Sequence, residues 1–167
     1  LGVARDLKTA NLPRAAATDV ELVESALEVE ERRWRDIRPH ERQPSLYASP
    51  LDAIFFMTAR DYAPAAERAA LAVQRLEKIP ASLAVARTNL AAAPGKKAPP
   101  KVWTIVGIEM AKSAGSFFEE QRGFLESQVD SKRVAAAIAG GKKAYAEYAA
   151  FLEKDVLPRS NGDFAAG

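Results

Sequence analysis

Residues 130–157 read DSKRVAAAIAGGKKAYAEYAAFLEKDVL. Val134, Ile138, Tyr145, Tyr148, Leu152 and Val156 fall on one face of an α-helix, and lysines and glutamates fill the rest. A strand would need strict alternation, which this stretch lacks. The predicted helix spans about Asp130 to Leu157. Gly140 and Gly141 sit mid-helix, where each costs about 1 kcal/mol relative to alanine. Close approach by a neighbouring helix is the expected compensation.

The same periodicity recurs upstream. Val102, Ile105, Val106, Met110, Phe117, Phe118 and Phe124 are apolar candidates for a helix from about Lys101 to Ser127. Between Ala93 and Pro100 three prolines and Gly95 forbid a helix, so residues 92–100 form an internal loop. Pro64 opens a helix carrying Ala66, Ala69, Val73 and Leu76, which ends near Ile79. Pro80 then starts a second helix or kinks one long rod, with Leu83, Ala86 and Leu90 following. Ser49-Pro50-Leu51-Asp52 reads as an N-cap, a proline at the first helical position and a first-turn acid. Leu51, Ile54, Phe55 and Thr58 follow as its buried face.

Arg38–Ser49 holds two prolines and several charges without periodicity, and reads as a loop. Thr18-Asp19-Val20-Glu21 matches a capping box. It predicts a first helix running to about Arg35 and stopped by Pro39, with Val20, Val23, Leu27 and Trp34 on one stripe. Glu21, Glu24, Glu28 and Glu31 form another. Strand and hairpin signals are missing throughout, so the fold class is all-α: a single domain over residues 1–167, an irregular bundle of five to six helices.

Composition excludes more chemistry than it admits. The chain has no cysteine, which removes disulfides, thiolate metal sites and cysteine nucleophiles. It has one histidine, His40, so the two-histidine helix of a zinc hydrolase cannot be built within it. His40 lies in a charged stretch and reads as solvated. A Gly-x-Ser-x-Gly elbow and a phosphate-cradling loop are also absent. Glu109 has apolar neighbours on both sides and would need a partner such as arginine if buried. With 24 basic and 22 acidic residues, no strong field favours nucleic acid. Lys96, Lys97 and Lys101 form a small basic patch without interleaved aromatics. No apolar run approaches the roughly 20 residues of a membrane span. Leu1-Gly2-Val3 shows neither an initiator methionine nor a signal-peptide core, and reads as a cut end.

Two stretches carry a resemblance. One runs from Arg75 through Ile79-Pro80 and Arg87-Thr88-Asn89-Leu90; the other is Leu157-Pro158-Arg159-Ser160-Asn161-Gly162-Asp163-Phe164-Ala165-Ala166-Gly167. With Tyr47 and Arg60-Asp61-Tyr62, they resemble the N-terminal portion of bacterial domain-of-unknown-function family 885. That family is similar in fold to helical zinc carboxypeptidases, and it carries an H-E-x-x-H helix in its C-terminal half. The resemblance implies a parent protein that binds zinc, while this chain holds no catalytic residue, metal ligand or cofactor. It also implies export, as a periplasmic protein or lipoprotein. Its partners would be the C-terminal catalytic half and a peptide substrate.

On this reading the chain is the N-terminal helical part of a metallopeptidase-like protein and walls one side of a substrate cleft. Arg38–Ser49 and Pro158–Gly167 are the segments expected to approach that cleft. Arg159, Asn161 and Asp163 are the candidate substrate-binding residues, with turn-capping as their competing role. The alternative is a stand-alone helical interaction module that binds a partner helix or dimerises through an apolar groove. Nucleic-acid binding ranks last.

Overall fold

The computed structural model describes residues 2–8 and 10–163, with only the backbone at Ala4 and Lys8. Among the described residues there is no strand, and six α-helices have seven residues or more. They are α1 (Gly2–Lys8), α2 (Arg14–Arg32), α4 (Ser49–Ala59), α5 (Ala65–Leu90), α6 (Lys101–Glu126) and α7 (Ser131–Phe151). A helical turn, α3 (Pro39–Arg42), lies between α2 and α4. The chain divides into two compact units with their boundary between Pro39 and His40.

The first unit is α1 against α2. Helix α2 follows Pro13, earlier than the capping box predicts, and Thr18 lies inside it. The Thr18 hydroxyl donates back to the Arg14 carbonyl at 3.1 Å, so it caps nothing. Beyond Arg32 the helix widens into a π turn over Arg33–Ile37 and ends at Arg38, whose φ of 55° is left-handed. A non-glycine residue there stops the helix at a steric cost. No residue of α2 is buried: of the apolar stripe, Val23 and Leu27 are exposed and Val20 is half-buried, and Trp34 in the π turn is exposed.

The second unit is a bundle of α4, α5, α6 and α7, in which α7 packs on both α5 and α6. The predicted face of α7 is correct in full, since Val134, Ile138, Tyr145, Tyr148, Leu152 and Val156 are all buried. Asp130 caps it, accepting from the Arg133 amide at 2.9 Å. The helix continues through a π turn (Leu152–Val156) into a 3-10 turn (Leu157–Arg159). Gly141 supplies the expected close approach: a Cβ there would lie 3.0 Å from the buried Phe118 ring of α6. Helix α5 is continuous through Pro80, which resolves the rod-or-two-helices question in favour of one helix.

Helix α6 has the predicted span and a different buried face. In its first two turns Val102, Ile105 and Val106 are exposed, while Thr104, Gly107 and Ile108 are buried; further along, the expected Phe118 is buried and Met110, Phe117 and Phe124 pack partly buried against the core, beside buried Ala111, Ala114 and Leu125. Phe55 of α4 is likewise exposed beside buried Leu51 and Ile54. Ser49 is the first helical residue there and makes no side-chain cap. Glu109 is exposed, so it does not require a buried partner.

Arg38–Ser49 is not an irregular loop. After α3 it forms a 3-10 turn over Pro44–Ala48 that packs on α6. A Cβ on Gly107 would come within 2.8 Å of Pro44 Cβ, so only glycine admits the turn this close. At the far end of the bundle, buried Arg68 locks the α4–α5 corner. It donates to the carbonyls of Ala63 and Met57 at 2.9 Å each and to Asp61 Oδ1 at 2.7 Å.

Candidate functional site

The end of the bundle where α5 stops and α6 begins gathers several of its long-range polar contacts. Three hydroxyls fasten the 40–48 segment there. Tyr148 donates to the Pro44 carbonyl at 2.8 Å, and Tyr145 to the Tyr47 carbonyl at 3.1 Å. Tyr47 in turn donates to the His40 carbonyl at 2.7 Å and accepts from Asn89 Nδ2 at 2.9 Å. Burial raises the pKa of all three phenols above the ordinary tyrosine value; at Tyr47 the Asn89 bond opposes this.

The segment after α7 crosses the same end. Arg159 donates to the Asp155 carbonyl at 2.9 Å and also to the Leu90 carbonyl, the last residue of α5. Desolvation lowers the guanidinium's pKa from its usual value. Ser160 Oγ donates to the Val156 carbonyl and lies 2.8 Å from the buried Thr104 hydroxyl of α6. The amides of Asn161 and Gly162 donate to the carbonyls of Arg159 and Pro99, at 3.0 and 3.1 Å. Arg42 Nη2 donates to the Asp163 carbonyl, so the two segments expected at a cleft meet there. Phe164–Gly167 lie outside the described residues.

The candidate residues are thus brought to one place, with different surroundings. Arg159 is half-buried with its donors on backbone carbonyls, while Asn161 and Asp163 are exposed. Sequence reasoning missed Arg42, Asn89 and Thr104. Arg42 stands in a charged stretch that looks like surface; Thr104 gave a signal as a polar residue in an apolar run, and Asn89 lies in a stretch that carried the resemblance. His40 is not fully solvated: its side chain is one-third exposed, with Nε2 3.8 Å from Glu41 Oε1. Lys96 donates to the Asn89 carbonyl at 2.8 Å and covers the end of α5, while Lys97 and Lys101 are exposed.

Among the described residues, no three histidine, cysteine, aspartate or glutamate side chains converge to hold a metal ion. His40 with Glu41 is a single imidazole beside a single carboxylate, short of the three protein ligands of a catalytic zinc. The donor set therefore does not fit a zinc centre.

The signature of a family described as bacterial protein of unknown function (DUF885) matches residues 2–167. The chain belongs to that family. No curated protein and no solved structure matches it. The match embraces both stretches that carried the resemblance, as well as the 40–48 segment that joins them in space. In this DUF885 chain, then, Arg87-Thr88-Asn89-Leu90 and Leu157–Asp163 are one neighbourhood: Asn89 holds Tyr47, and Leu90 receives Arg159.

Proposed function

We propose that this chain is the non-catalytic helical part of a zinc-dependent metallopeptidase-like protein, and that it walls one side of the substrate cleft. The zinc ligands and the general base belong to a part of that protein outside this sequence. The observation that carries the reading is the meeting of the 40–48 and 157–163 segments at one end of a packed bundle. Such an arrangement presents polar side chains from a rigid support, as a binding wall requires. The exposed apolar strip Val102, Ile105 and Val106 on α6 gives the missing part a surface to cover.

The test uses the native protein from its source. Its intact mass should exceed 18.1 kDa several-fold, and it should cleave peptides with an activity that a chelator removes and zinc restores. A native mass of 18.1 kDa would replace this reading with that of a stand-alone interaction module. Hydrolysis indifferent to chelation would remove zinc from it. In the active protein Arg159→Ala should lower stability by about 1–3 kcal/mol, because two carbonyls lose a charged donor. Thermal unfolding checks that; a rise in KM beyond the stability loss would add substrate contact to its role.

A further inference from the structure

Helix α1 covers one side of α2. Ala16, Ala17, Val20, Glu24 and Glu28 are half-buried there, and Arg5 of α1 lies 3.8 Å from each of the two carboxylates. The opposite side of α2 carries a second apolar seam. Ala15, Leu22 and Val29 recur at heptad spacing, with Ala26 between the last two. Leu22 is 65% exposed and Val29 60%. Heptad spacing keeps such side chains in line along a helix, as in helices that pair with one another. Apolar residues exposed in line and rimmed by charge mark a surface that a partner covers.

Charge is sorted along the same helix. After Arg14 come the acids Asp19, Glu21, Glu24, Glu28, Glu30 and Glu31; then Arg32, Arg33 and Arg35 follow, with Asp36. Asp19 and Glu21 form no ion pair among the described residues. Arg32 and Arg33 lie 3.9 Å from Glu28 and 3.4 Å from Glu30, contacts between exposed groups that contribute little. A parallel pair of such helices would set acids against acids and arginines against arginines. An antiparallel pair sets each acidic part against the other's arginines, so α2 is complementary to a reversed copy of itself. With Leu22 opposite Val29 of a second copy, the two-fold axis falls between Ser25 and Ala26, whose small side chains admit close approach. In that register Asp19 comes beside Arg33, and Glu21 beside Arg32, of the second copy.

We propose that α2 is the contact of a homodimer, in which two copies of the chain pair antiparallel through Leu22, Ala26 and Val29. The contact is isologous, so the assembly closes at two. The seam is about 28 Å long, and so small a patch gives a weak pair that comes apart on dilution. The inference is independent of the peptidase reading, since it uses no residue of the 40–48 and 157–163 segments.

Sedimentation equilibrium of the 167-residue chain, from about 1 μM to 1 mM, should show a monomer–dimer equilibrium. Arg32→Glu with Arg33→Glu should weaken it about tenfold or more, and Asp19→Arg with Glu21→Arg should do the same. A mixture of the two variants should pair more tightly than either alone, because their charges are again complementary. None of the four residues is buried, so both variants keep the fold. The chain has no cysteine, so introduced ones report the register without background. Ala26→Cys, beside the axis, should form an intermolecular disulfide by itself. Leu22→Cys, about 10 Å along the axis from its own copy, should not, yet it should cross-link when mixed with Val29→Cys. A chain that stays monomeric at about 1 mM overturns the proposal and leaves the seam to another partner. A dimer that Ala26→Cys fails to cross-link also overturns it, and places association elsewhere, as at Val102, Ile105 and Val106. Cross-linking of Leu22→Cys alone would make the pair parallel, and pairing unaltered by reversing Arg32 and Arg33 would remove its electrostatic basis; either result sinks the antiparallel dimer.

Discussion

Gly107, Gly123 and Gly162 lie in or beside helices, yet they answer to different neighbours. At Gly123 nothing lies within 4 Å of an added Cβ, so alanine gains helix propensity without a clash. Gly123→Ala should raise stability by about 0.5–1 kcal/mol. At Gly107 the same methyl meets Pro44 Cβ at 2.8 Å and the Ser45 amide nitrogen at 3.1 Å, part of it backbone that cannot move aside. Gly107→Ala should cost about 1–3 kcal/mol and loosen the 3-10 turn. Chemical denaturation of both variants reads the two signs against one reference, and a gain at Gly107 would refute the close packing of Pro44 on α6. Gly162 is tighter still, since a Cβ would run into the Ala98 carbonyl. None of this is visible in sequence, where the three glycines look alike. Arg159 shows the same limit: its position was singled out, but its partner at Leu90 lies 69 residues away along the chain.

Helices α6 and α7 show when a pattern can be read and when it misleads. On α7 the large apolar residues coincide with the buried face, and reading it was simple. On α6 two apolar stripes compete. Val102, Ile105 and Val106 sit two residues, or about 200° of turn, from Thr104, Gly107 and Ile108. Bulk favours the first stripe, but close packing selected the second, whose small residues let Pro44 approach. The tyrosines of α7 make a pH prediction. Burial raises the folded-state pKa of Tyr145 and Tyr148 above the unfolded value of about 10. Their contribution is full below pH 10 and is lost as pH rises above it, because the unfolded chain ionises first. Tyr145→Phe with Tyr148→Phe should reduce the fall in Tm above pH 10, while costing stability at pH 7 through two lost hydrogen bonds. Glu119 behaves in the opposite sense. Hydrogen bonds from Arg122 at 2.7 Å and Lys142 at 2.8 Å hold its pKa near about 2. What it contributes is present above the ordinary carboxylate range and lost as pH falls toward 2. The Tm difference between wild type and Glu119→Gln should shrink across that window, and a difference constant from pH 6 to 2 would contradict it.

At the scale of the whole molecule, the two units differ in how they hold together. The second has a core with Ile54, Leu76, Phe118, Ile138 and Tyr148 at 1% exposure or less. In the first, α2 buries none of its residues. Few buried apolar contacts mean low-energy local opening. Amide hydrogen exchange should therefore show α2 losing protection well before α5, α6 and α7, and equal protection in both would contradict the division.

The sequence by itself determined the fold class, the proline–glycine break at residues 92–100, the buried face of α7 and the exclusion of a histidine-rich metal site. Those are consequences of local periodicity, turn chemistry and composition, all of which are written along the chain. Only the tertiary structure decided which stripe of α6 faces inward and that residues 40–48 form a fastened turn. It alone brought Arg42, Asn89, Thr104 and Arg159 to one end of the bundle. These depend on contacts across 42 to 121 residues, where space for a methyl group or a carbonyl in reach selects the arrangement. No local pattern carries that information.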